Sequence, residues 1–296
     1  STAVQAITVP NPPTSLITSS PAATSLGLSW TPPSGTATTD YIIQYSTDNS
    51  NWTIFNDGTS TSTSTTVTGL SSNTLYYFRV ATVANPTSAY SSSTTGTTLP
   101  GTISNLTVSS TNAISETISW TAPSGSVSIT DYTIQYSTNN SSWSTFADGT
   151  SNSTSATITG LNSNTLYYLR VAAVNSAGQG AYSSSISDAT DNPEPVTTLS
   201  VTTKGFDFVD IEWNTPTLYG ATVQGYQINY TTPYGPPLTQ IVNSTNSTLT
   251  TFTLSDLTPG TEYSFRVGLW TYTGGLRVSG ANTANVTTYQ SANFTI

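Results

Sequence analysis

The sequence contains no cysteine, no histidine and no methionine among its 296 residues. Without cysteine there is no disulfide bond, so each part of the fold must be stabilised by burial of apolar side chains. The side chains that most often serve as general base and as thiol nucleophile are also missing. These absences argue against an enzyme, and we expect no cofactor.

Charged residues are scarce as well, at 6% of the chain, with five basic and 14 acidic side chains. Binding to a phosphate backbone requires clustered Lys and Arg, so nucleic acid is not an expected partner. No apolar run approaches the roughly 18 residues of a membrane-spanning helix, and we expect no membrane span. The chain starts at Ser1 rather than Met, which fits either a removed secretion signal or a cut end.

In place of these residues, the chain has one eight-residue stretch that occurs three times. It reads NTLYYFRV from Asn73, NTLYYLRV from Asn164 and GTEYSFRV from Gly260. A spacing of about 90 residues is too long for a solenoid repeat and fits a whole domain. The sequence therefore predicts three copies of one domain.

Each copy also contains a short segment ending in Trp, a proline-bearing turn and an alternating segment. The Trp segments are LGLSW, ETISW and VDIEW, and the alternating segments are DYIIQYS, DYTIQYS and GYQINYT. Aromatic and β-branched residues at every second position are typical of half-buried strands, and no sustained 3.6-residue period occurs. With turn signals every 8–12 residues or so, this pattern predicts an all-β fold of three sandwiches with about seven strands each.

The three copies resemble fibronectin type III domains, an immunoglobulin-like family. The resemblance rests on Trp30, Trp120 and Trp213 and on the segments LSSNTLYYFRV, LNSNTLYYLRV and LTPGTEYSFRV. It implies that a tyrosine hydroxyl in each copy bonds to backbone just upstream and fixes the corner between two strands. These tyrosines are Tyr76, Tyr167 and Tyr263. The first two copies depart from the family pattern, with Asn where Gly is usual.

We place the three domains at residues 10–99, 100–190 and 191–289. Residues 1–9 form a strand-like N-terminal tail and residues 290–296 a C-terminal tail. The joints TTLPGT and ATDNPEP are short and contain proline, which favours semi-rigid connections.

One carboxylate pair needs an explanation, because Asp210 and Glu212 lie two residues apart on one predicted strand face. Such a pair can do acid–base chemistry or bind calcium, but two ligands are too few for a calcium site. A solvated strand face is the simpler interpretation, and we expect no metal site.

Apolar residues at outward positions of the third and sixth strands suggest an interface in the first two domains, since exposed apolar patches often mark interfaces. The third domain has Gln227, Glu262 and Ser264 at these positions. The tails add further candidates, because a strand-like segment can pair with the sheet of a neighbouring subunit. The interface candidates are Val4, Ile7, Val9, Ile42, Leu75, Tyr77, Leu166, Tyr168, Phe294 and Ile296.

Ten of the 22 asparagines begin an N-glycosylation acceptor sequence. With 108 Ser and Thr residues in the chain, roughly eight would arise by chance, so the count is only compatible with N-linked glycans. The candidates are Asn51, Asn105, Asn139, Asn140, Asn152, Asn229, Asn243, Asn246, Asn285 and Asn293.

Two functions remain open from the sequence. The first is a secreted structural subunit of a cell-surface filament, which assembles with itself through its tails and apolar sheet faces. The second is a spacer module that does not polymerise and that binds a surface or carbohydrate, as part of an adhesin, a phage tail or a polysaccharide-degrading enzyme. The lack of oxidisable Cys and Met and of most charge points to a harsh habitat, and hence to an archaeal or bacterial source.

Overall fold

The computed structural model describes residues 9–35, 37–191, 196–217, 223–233, 235, 237–243, 250–271 and 283–290. Every regular element in these ranges is a β-strand, which confirms the all-β prediction. The candidates Val4, Ile7, Phe294, Ile296, Asn246 and Asn293 lie outside the described residues.

The first repeat contains seven strands in two sheets. Its strands are β1 (Thr14–Ser19), β2 (Ser25–Thr31), β3 (Asp40–Ser46), β4 (Thr53–Phe55), β5 (Ser64–Thr68), β6 (Leu75–Val83) and β7 (Thr94–Thr97). One sheet has the order β1-β2-β5 and the other β4-β3-β6-β7. The third and sixth strands are therefore neighbours in one sheet.

The second repeat has the same plan with one additional short strand. Its strands are β8 (Ser104–Asn112), β9 (Ser115–Thr121), β10 (Asp131–Ser137), β11 (Ser144–Thr145), β12 (Ser155–Thr159), β13 (Leu166–Asn175), β14 (Gly178–Gln179) and β15 (Ile186–Ala189). The sheets have the orders β12-β9-β8 and β11-β10-β13-β14, and β15 also pairs with β13. The additional strand β14 forms a tight hairpin with the end of β13.

The third repeat returns to seven strands among its described residues. They are β16 (Leu199–Lys204), β17 (Val209–Trp213), β18 (Val223–Thr231), β19 (Leu238–Asn243), β20 (Thr251–Leu254), β21 (Glu262–Thr271) and β22 (Ala284–Thr287). The sheets have the orders β16-β17-β20 and β19-β18-β21-β22.

Contacts divide the chain into two compact units. The first comprises residues 1–109, 117–156 and 167–187, and so holds the first repeat together with most of the second. The second unit comprises residues 110–116, 157–166 and 188–296.

Each repeat is centred on one buried Trp that packs edge-on against a Tyr of the following strand. The ring centroids of Trp30 and Tyr41 are 5.1 Å apart, with an angle of 70° between the rings. The corresponding pairs in the other repeats have nearly the same geometry. These pairs are Trp120 with Tyr132 at 5.0 Å and Trp213 with Tyr226 at 4.9 Å. Edge-to-face packing places the positive ring edge on the negative ring face and stabilises each core beyond the area buried.

The predicted tyrosine corner is confirmed in the first and third repeats. The hydroxyl of Tyr76 accepts a hydrogen bond from the backbone N–H of Ser71 at 2.9 Å. The hydroxyl of Tyr263 accepts one from the backbone N–H of Thr258, also at 2.9 Å. Tyr167 is buried at the same position of the second repeat. The three-fold recurrence of the stretch therefore reflects the fold.

Candidate interaction surfaces

The junction between the first and second repeats, which lies within the first compact unit, is held by the side chain and backbone of Asn73. Its Nδ2 donates a hydrogen bond to the carbonyl of Val127 at 2.7 Å. Its Oδ1 accepts one from Nδ2 of Asn175 at 3.0 Å. Its carbonyl accepts from the backbone N–H groups of Ser126 and Val127, at 2.9 and 3.1 Å. Since only 2% of Asn73 is exposed, these bonds are shielded from water.

The conformation of Asn73 explains why the first repeat departs from the family's usual glycine. The residue has φ +50°, in the left-handed region that Gly and Asn tolerate best. The matching corner residues are Asn164, at φ +48°, and Gly260, at φ +66°. A glycine would fit the backbone, but only asparagine adds the two side-chain bonds to the second repeat.

Glycine is required on the facing side of the same junction. Gly125 has φ +152°, and a Cβ atom there would overlap the carbonyl oxygen of Asn73. The backbones of the two repeats therefore approach so closely that any side chain at residue 125 would separate them.

The outer face of the β3–β6 sheet carries the interface candidates of the first repeat, and it is not a continuous apolar patch. Across the two strands, Ile42 pairs with Ala81 and Tyr77 pairs with Ser46. The row between these pairs is polar and consists of Gln44 and Arg79. Ile42, Leu75 and Tyr77 are half-buried. The backbone N–H of Leu75 also donates to Oγ of Ser126 at 3.4 Å, so this end of the strand adjoins the junction.

The polar row contains an arginine enclosed between two aromatic rings, an arrangement that no local sequence pattern indicated. The guanidinium carbon of Arg79 lies 4.1 Å from the ring centroid of Trp52 and 4.3 Å from that of Tyr90. Its Nε donates a hydrogen bond to Oε1 of Gln44 at 2.8 Å. A guanidinium between two ring faces is favourable because it is charged, planar and only weakly hydrated.

The second repeat contains the same arrangement. The guanidinium carbon of Arg170 lies 4.0 Å from the ring centroid of Trp143 and 4.3 Å from that of Tyr182. Its Nε and Nη2 both donate to Oε1 of Gln135, at 3.0 and 2.7 Å. Of the interface candidates here, Tyr168 is half-buried and Leu166 is 47% exposed. We call the sets Trp52–Arg79–Tyr90 and Trp143–Arg170–Tyr182 the arginine stacks.

The same face of the third repeat differs in its chemistry. Arg266 pairs with Asn229 and Ser264 pairs with Thr231. Arg266 is exposed and lines a cavity of about 450 Å³ together with Asn229, Thr231, Pro237 and Ser264. Gln227, expected to point outward into solvent, is only 5% exposed, and its Nε2 donates to Oδ1 of Asn229 at 3.2 Å.

Of the N-terminal tail only Val9 is described, and it is 61% exposed. An apolar side chain is therefore in contact with water shortly before the first strand of the first repeat.

Three of the glycosylation candidates lie in turns that follow the third strand of a repeat. Asn51 is in the β3–β4 turn, where its Nδ2 donates to Oδ2 of Asp48 at 2.6 Å. The backbone N–H of Asn51, this side-chain bond and two donors from Ser50 and Ser46 hold the pKa of the Asp48 carboxyl well below its usual range. In the β10–β11 turn, Oδ1 of Asn139 accepts from the backbone N–H groups of Ser141 and Ser142. Asn140 is exposed at the tip of this turn.

The remaining described candidates occupy varied positions. Asn105, Asn152 and Asn285 are exposed, Asn229 is half-buried and Asn243 is the last residue of β19.

The carboxylate pair of the third repeat lies on β17. Asp210 accepts a hydrogen bond from Oγ1 of Thr253 at 2.6 Å, and Glu212 is exposed. Among the described residues, no group of three or more acidic, His or Cys side chains has a geometry that could hold a metal ion.

Comparison with known protein families agrees with this geometry. The family model described as "Fibronectin type III domain" matches residues 11–97, 101–189 and 193–282. The chain belongs to the fibronectin type III family. Its three matches confirm the resemblance that the Trp and Tyr motifs indicated.

The curated relatives are much longer proteins. The chain is 29% identical over 211 residues to fibronectin type III domain-containing protein 1 of Margaritifera margaritifera, which covers 69% of this chain and 28% of that protein. It is 32% identical over 180 residues to receptor-type tyrosine-protein phosphatase F of Danio rerio, covering 57% and 9%. It is 27% identical over 292 residues to tyrosine-protein phosphatase Lar of Drosophila melanogaster, covering 95% and 14%. The chain thus spans less than a third of the length of the curated relatives it matches.

Two solved structures of fibronectin type III domains are also similar. The chicken CNTN1 FN1-FN3 domains are 20% identical, with a TM-score of 0.33, covering 95% of this chain and 99% of that one. A two-domain segment of chicken tenascin is 21% identical, with a TM-score of 0.36, covering 60% and 99%. In the described part of the chain, no helix has the length and apolar character needed to cross a membrane.

Proposed function

We propose that this chain is an extracellular structural protein, the subunit of a secreted cell-surface filament or similar appendage. Copies associate with one another through the strand-like tails at residues 1–9 and 290–296 and through the outer faces of the β3–β6 and β10–β13 sheets. N-linked glycans on exposed turns, at Asn51 and Asn140 for example, cover part of the remaining surface.

The observation that carries the proposal is the repetition of one outer face in two joined repeats. Each face presents a Trp, an Arg and two Tyr side chains, the residue types that dominate binding energy at protein interfaces. In the first repeat these residues are Trp52, Arg79, Tyr77 and Tyr90. The stacking and hydrogen bonds fix the arginine before any partner arrives, which reduces the entropy lost on association.

The Asn73 junction supports the same function, because it restricts the movement of the second repeat relative to the first. A subunit with its two interacting faces in a fixed relation favours regular assembly over random aggregation. A non-catalytic role is supported by the family matches, which cover most of this chain, and by the similarity to a protein named only for its fibronectin type III domains.

The experiment is negative-stain electron microscopy of the native secreted material, followed by recombinant variants. We expect filaments with one repeating subunit for the unaltered chain and none after deletion of residues 1–9. The double variant Tyr77→Ser, Tyr168→Ser introduces the residue found at position 264 of the third repeat, and we expect it to reduce assembly while leaving the fold intact.

The matched control is Ile17→Ser, which removes an apolar side chain that is 57% exposed on the other sheet of the first repeat. Filaments should persist in this variant. Normal filaments in the tail deletion and in the double Tyr variant would contradict the proposal.

The second candidate function is a spacer module of an adhesin, a phage tail or an enzyme that does not polymerise and that binds a surface or carbohydrate. The Asn73 junction favours it too, because a hydrogen-bonded joint between repeats stiffens a rod. Separate rods about three domains long in the micrographs, together with a monomer in solution, would select the spacer over the filament subunit.

A further inference from the structure

The second repeat has an acidic residue at a core position. Along β9 the buried residues Glu116, Ile118 and Trp120 alternate with partly exposed ones, so Glu116 lies on the inward face. At the same distance before the Trp, the first repeat has the buried Leu26 and the third repeat the buried Val209. A carboxyl group therefore occupies a position that is filled by an aliphatic side chain in the other two repeats.

Glu116 is completely buried, and neither carboxyl oxygen has a hydrogen-bond partner among the described residues. An ionised carboxylate in such an environment is strongly unfavourable, whereas the neutral acid costs far less. Burial away from water, and after it the charge of Asp188, raise the pKa of Glu116 to about 7.

Asp188 lies on β15, two residues before Thr190. In each repeat, one threonine hydroxyl donates a hydrogen bond to a backbone carbonyl of the tyrosine corner, and these threonines are Thr98, Thr190 and Thr288. The residues two positions before them are therefore equivalent, and they are Gly96, Asp188 and Val286. In the first repeat, a Cβ on Gly96 would lie 3.1 Å from Cδ1 of Leu26, so these two positions face each other. Glu116 and Asp188 of the second repeat therefore occupy the positions of Leu26 and Gly96 in the first repeat and of Val209 and Val286 in the third.

The Asp188 carboxylate is fixed by the edge strand β8, where Oγ1 of Thr111 donates a hydrogen bond to its Oδ2 at 2.7 Å. Asp188 is the charged group that faces Glu116 from β15, and β8 contributes the uncharged Thr111. The positive charge of this repeat, Arg170, is committed to the outer face by its stack and by Gln135. The two acids are therefore left without a compensating cation in the described part of the repeat.

We propose that Glu116 and Asp188 form a proton-controlled closure of the sandwich edge in the second repeat. When Glu116 carries a proton, it completes the core and β8, β9 and β15 stay packed. When it loses the proton, its charge lies beside Asp188 in an apolar environment, and the edge opens to admit water. The first and third repeats, with Leu26 and Val209, have no such response.

The direction of the effect follows from the two pKa values. In the closed state Glu116 releases its proton near pH 7, and in an open or unfolded state it releases the proton near its ordinary value of 4.5. The closed state is therefore most stable at acid pH, loses stability from about pH 4.5 upward, and stops losing it above about pH 7. The difference corresponds to a change on the order of a hundredfold in the opening equilibrium.

The direct test uses the full chain with ¹³C at the side-chain carboxyl of glutamate. The sequence contains four glutamates, so four resonances are expected, and the one missing in Glu116→Gln belongs to Glu116. We expect this resonance to titrate near pH 7. Titration of Glu116 near 4.5 would overturn the proposal.

The second test compares amide exchange of β9 between pH 4.5 and 7.5, corrected for the intrinsic pH dependence, in the unaltered chain and in Glu116→Leu. This variant introduces the leucine found at the equivalent position of the first repeat. If Glu116→Leu does not fold, Glu116→Gln takes its place in the comparison. Opening should increase on the order of a hundredfold with pH in the unaltered chain and stay constant in the variant. The same pH dependence in both chains would refute the proposal. It would also be refuted if added Ca²⁺ closed the edge at pH 7.5 in the unaltered chain but not in Glu116→Gln.

Discussion

Replacement of Asn73 by glycine should loosen the junction between the first two repeats while leaving both sandwiches folded. Glycine adopts φ +50° without strain, so the corner keeps its backbone path. What is removed is the pair of side-chain hydrogen bonds, from Nδ2 to the carbonyl of Val127 and from Nδ2 of Asn175 to Oδ1. The two backbone bonds to the carbonyl of residue 73 remain.

The magnitude follows from the number of bonds lost and from what remains of their partners. Each net hydrogen bond contributes about 1 kcal/mol, so two contribute about 2 kcal/mol. Asn175 keeps its second bond, to the carbonyl of Thr98 at 3.0 Å, and is therefore not left without a partner. The extra chain entropy of glycine is roughly offset by relief of the left-handed strain, so we expect about 2 kcal/mol, or about a 30-fold change in junction opening.

The assay is amide hydrogen exchange of the full chain, read at Ser126 and Val127. Both N–H groups donate to the carbonyl of Asn73, so they exchange only when the junction opens. We expect exchange about 30-fold faster in Asn73→Gly. The matched control is Asn49→Gly, an exposed turn residue at φ +59° in the same repeat, which should leave these amides unchanged.

Asn73→Asp tests the hydrogen bond that the side chain donates separately from the one that it accepts. It keeps an oxygen for Asn175 but turns the donor toward Val127 into a second acceptor, so the junction should open more than in Asn73→Gly. Exchange at Ser126 and Val127 within twofold of the unaltered chain in both variants would refute the role assigned to this side chain.

Three further predictions concern single side chains. Arg79→Lys loses the planar stacking on two rings and the bond to Gln44, so it should lower the free energy of unfolding by about 1–2 kcal/mol in denaturant titration. The control Arg266→Lys, at the exposed position of the third repeat, should change this free energy little. Tyr76→Phe removes the acceptor of the Ser71 N–H and should lower the free energy of unfolding by about 1 kcal/mol, and Tyr263→Phe should have an equal effect in the third repeat. If neither substitution changed stability, the corner assignment would be wrong. The lowered pKa of Asp48 stabilises its turn above the ordinary pKa of 3.8 and ceases to do so as acid protonates it, so Asp48→Asn, which copies Asn139, should flatten the acid limb of stability against pH.

Much of the fold could be predicted from the sequence, because period-two alternation and aromatic spacing are local properties. The segment before Trp30 and the alternating strand after it place Tyr41 and Ile43 in the core, and both are buried. The corner bond of Tyr76 spans five residues, so it is also encoded locally.

The surfaces were harder to predict, because their residues come together from distant parts of the chain. Trp52, Arg79 and Tyr90 come from a turn, a strand and a loop, and only strand pairing brings them into one stack. The junction bond from Asn73 to Val127 spans 54 residues, and its sequence signal was only a departure from the usual glycine. Glu116 had a readable signal, since alignment of ETISW with LGLSW and VDIEW already assigns it an inward position.

The arginine stacks have a consequence for cleavage by proteases. The first 203 residues contain no lysine and two arginines, Arg79 and Arg170. Enzymes that cut after basic residues thus find two target bonds there, each inside a strand paired on both sides, β6 and β13. A protease needs an extended, unpaired segment in its cleft, so neither bond can be cut without opening the sheet. The two joined repeats should therefore withstand trypsin-like digestion for as long as they stay folded.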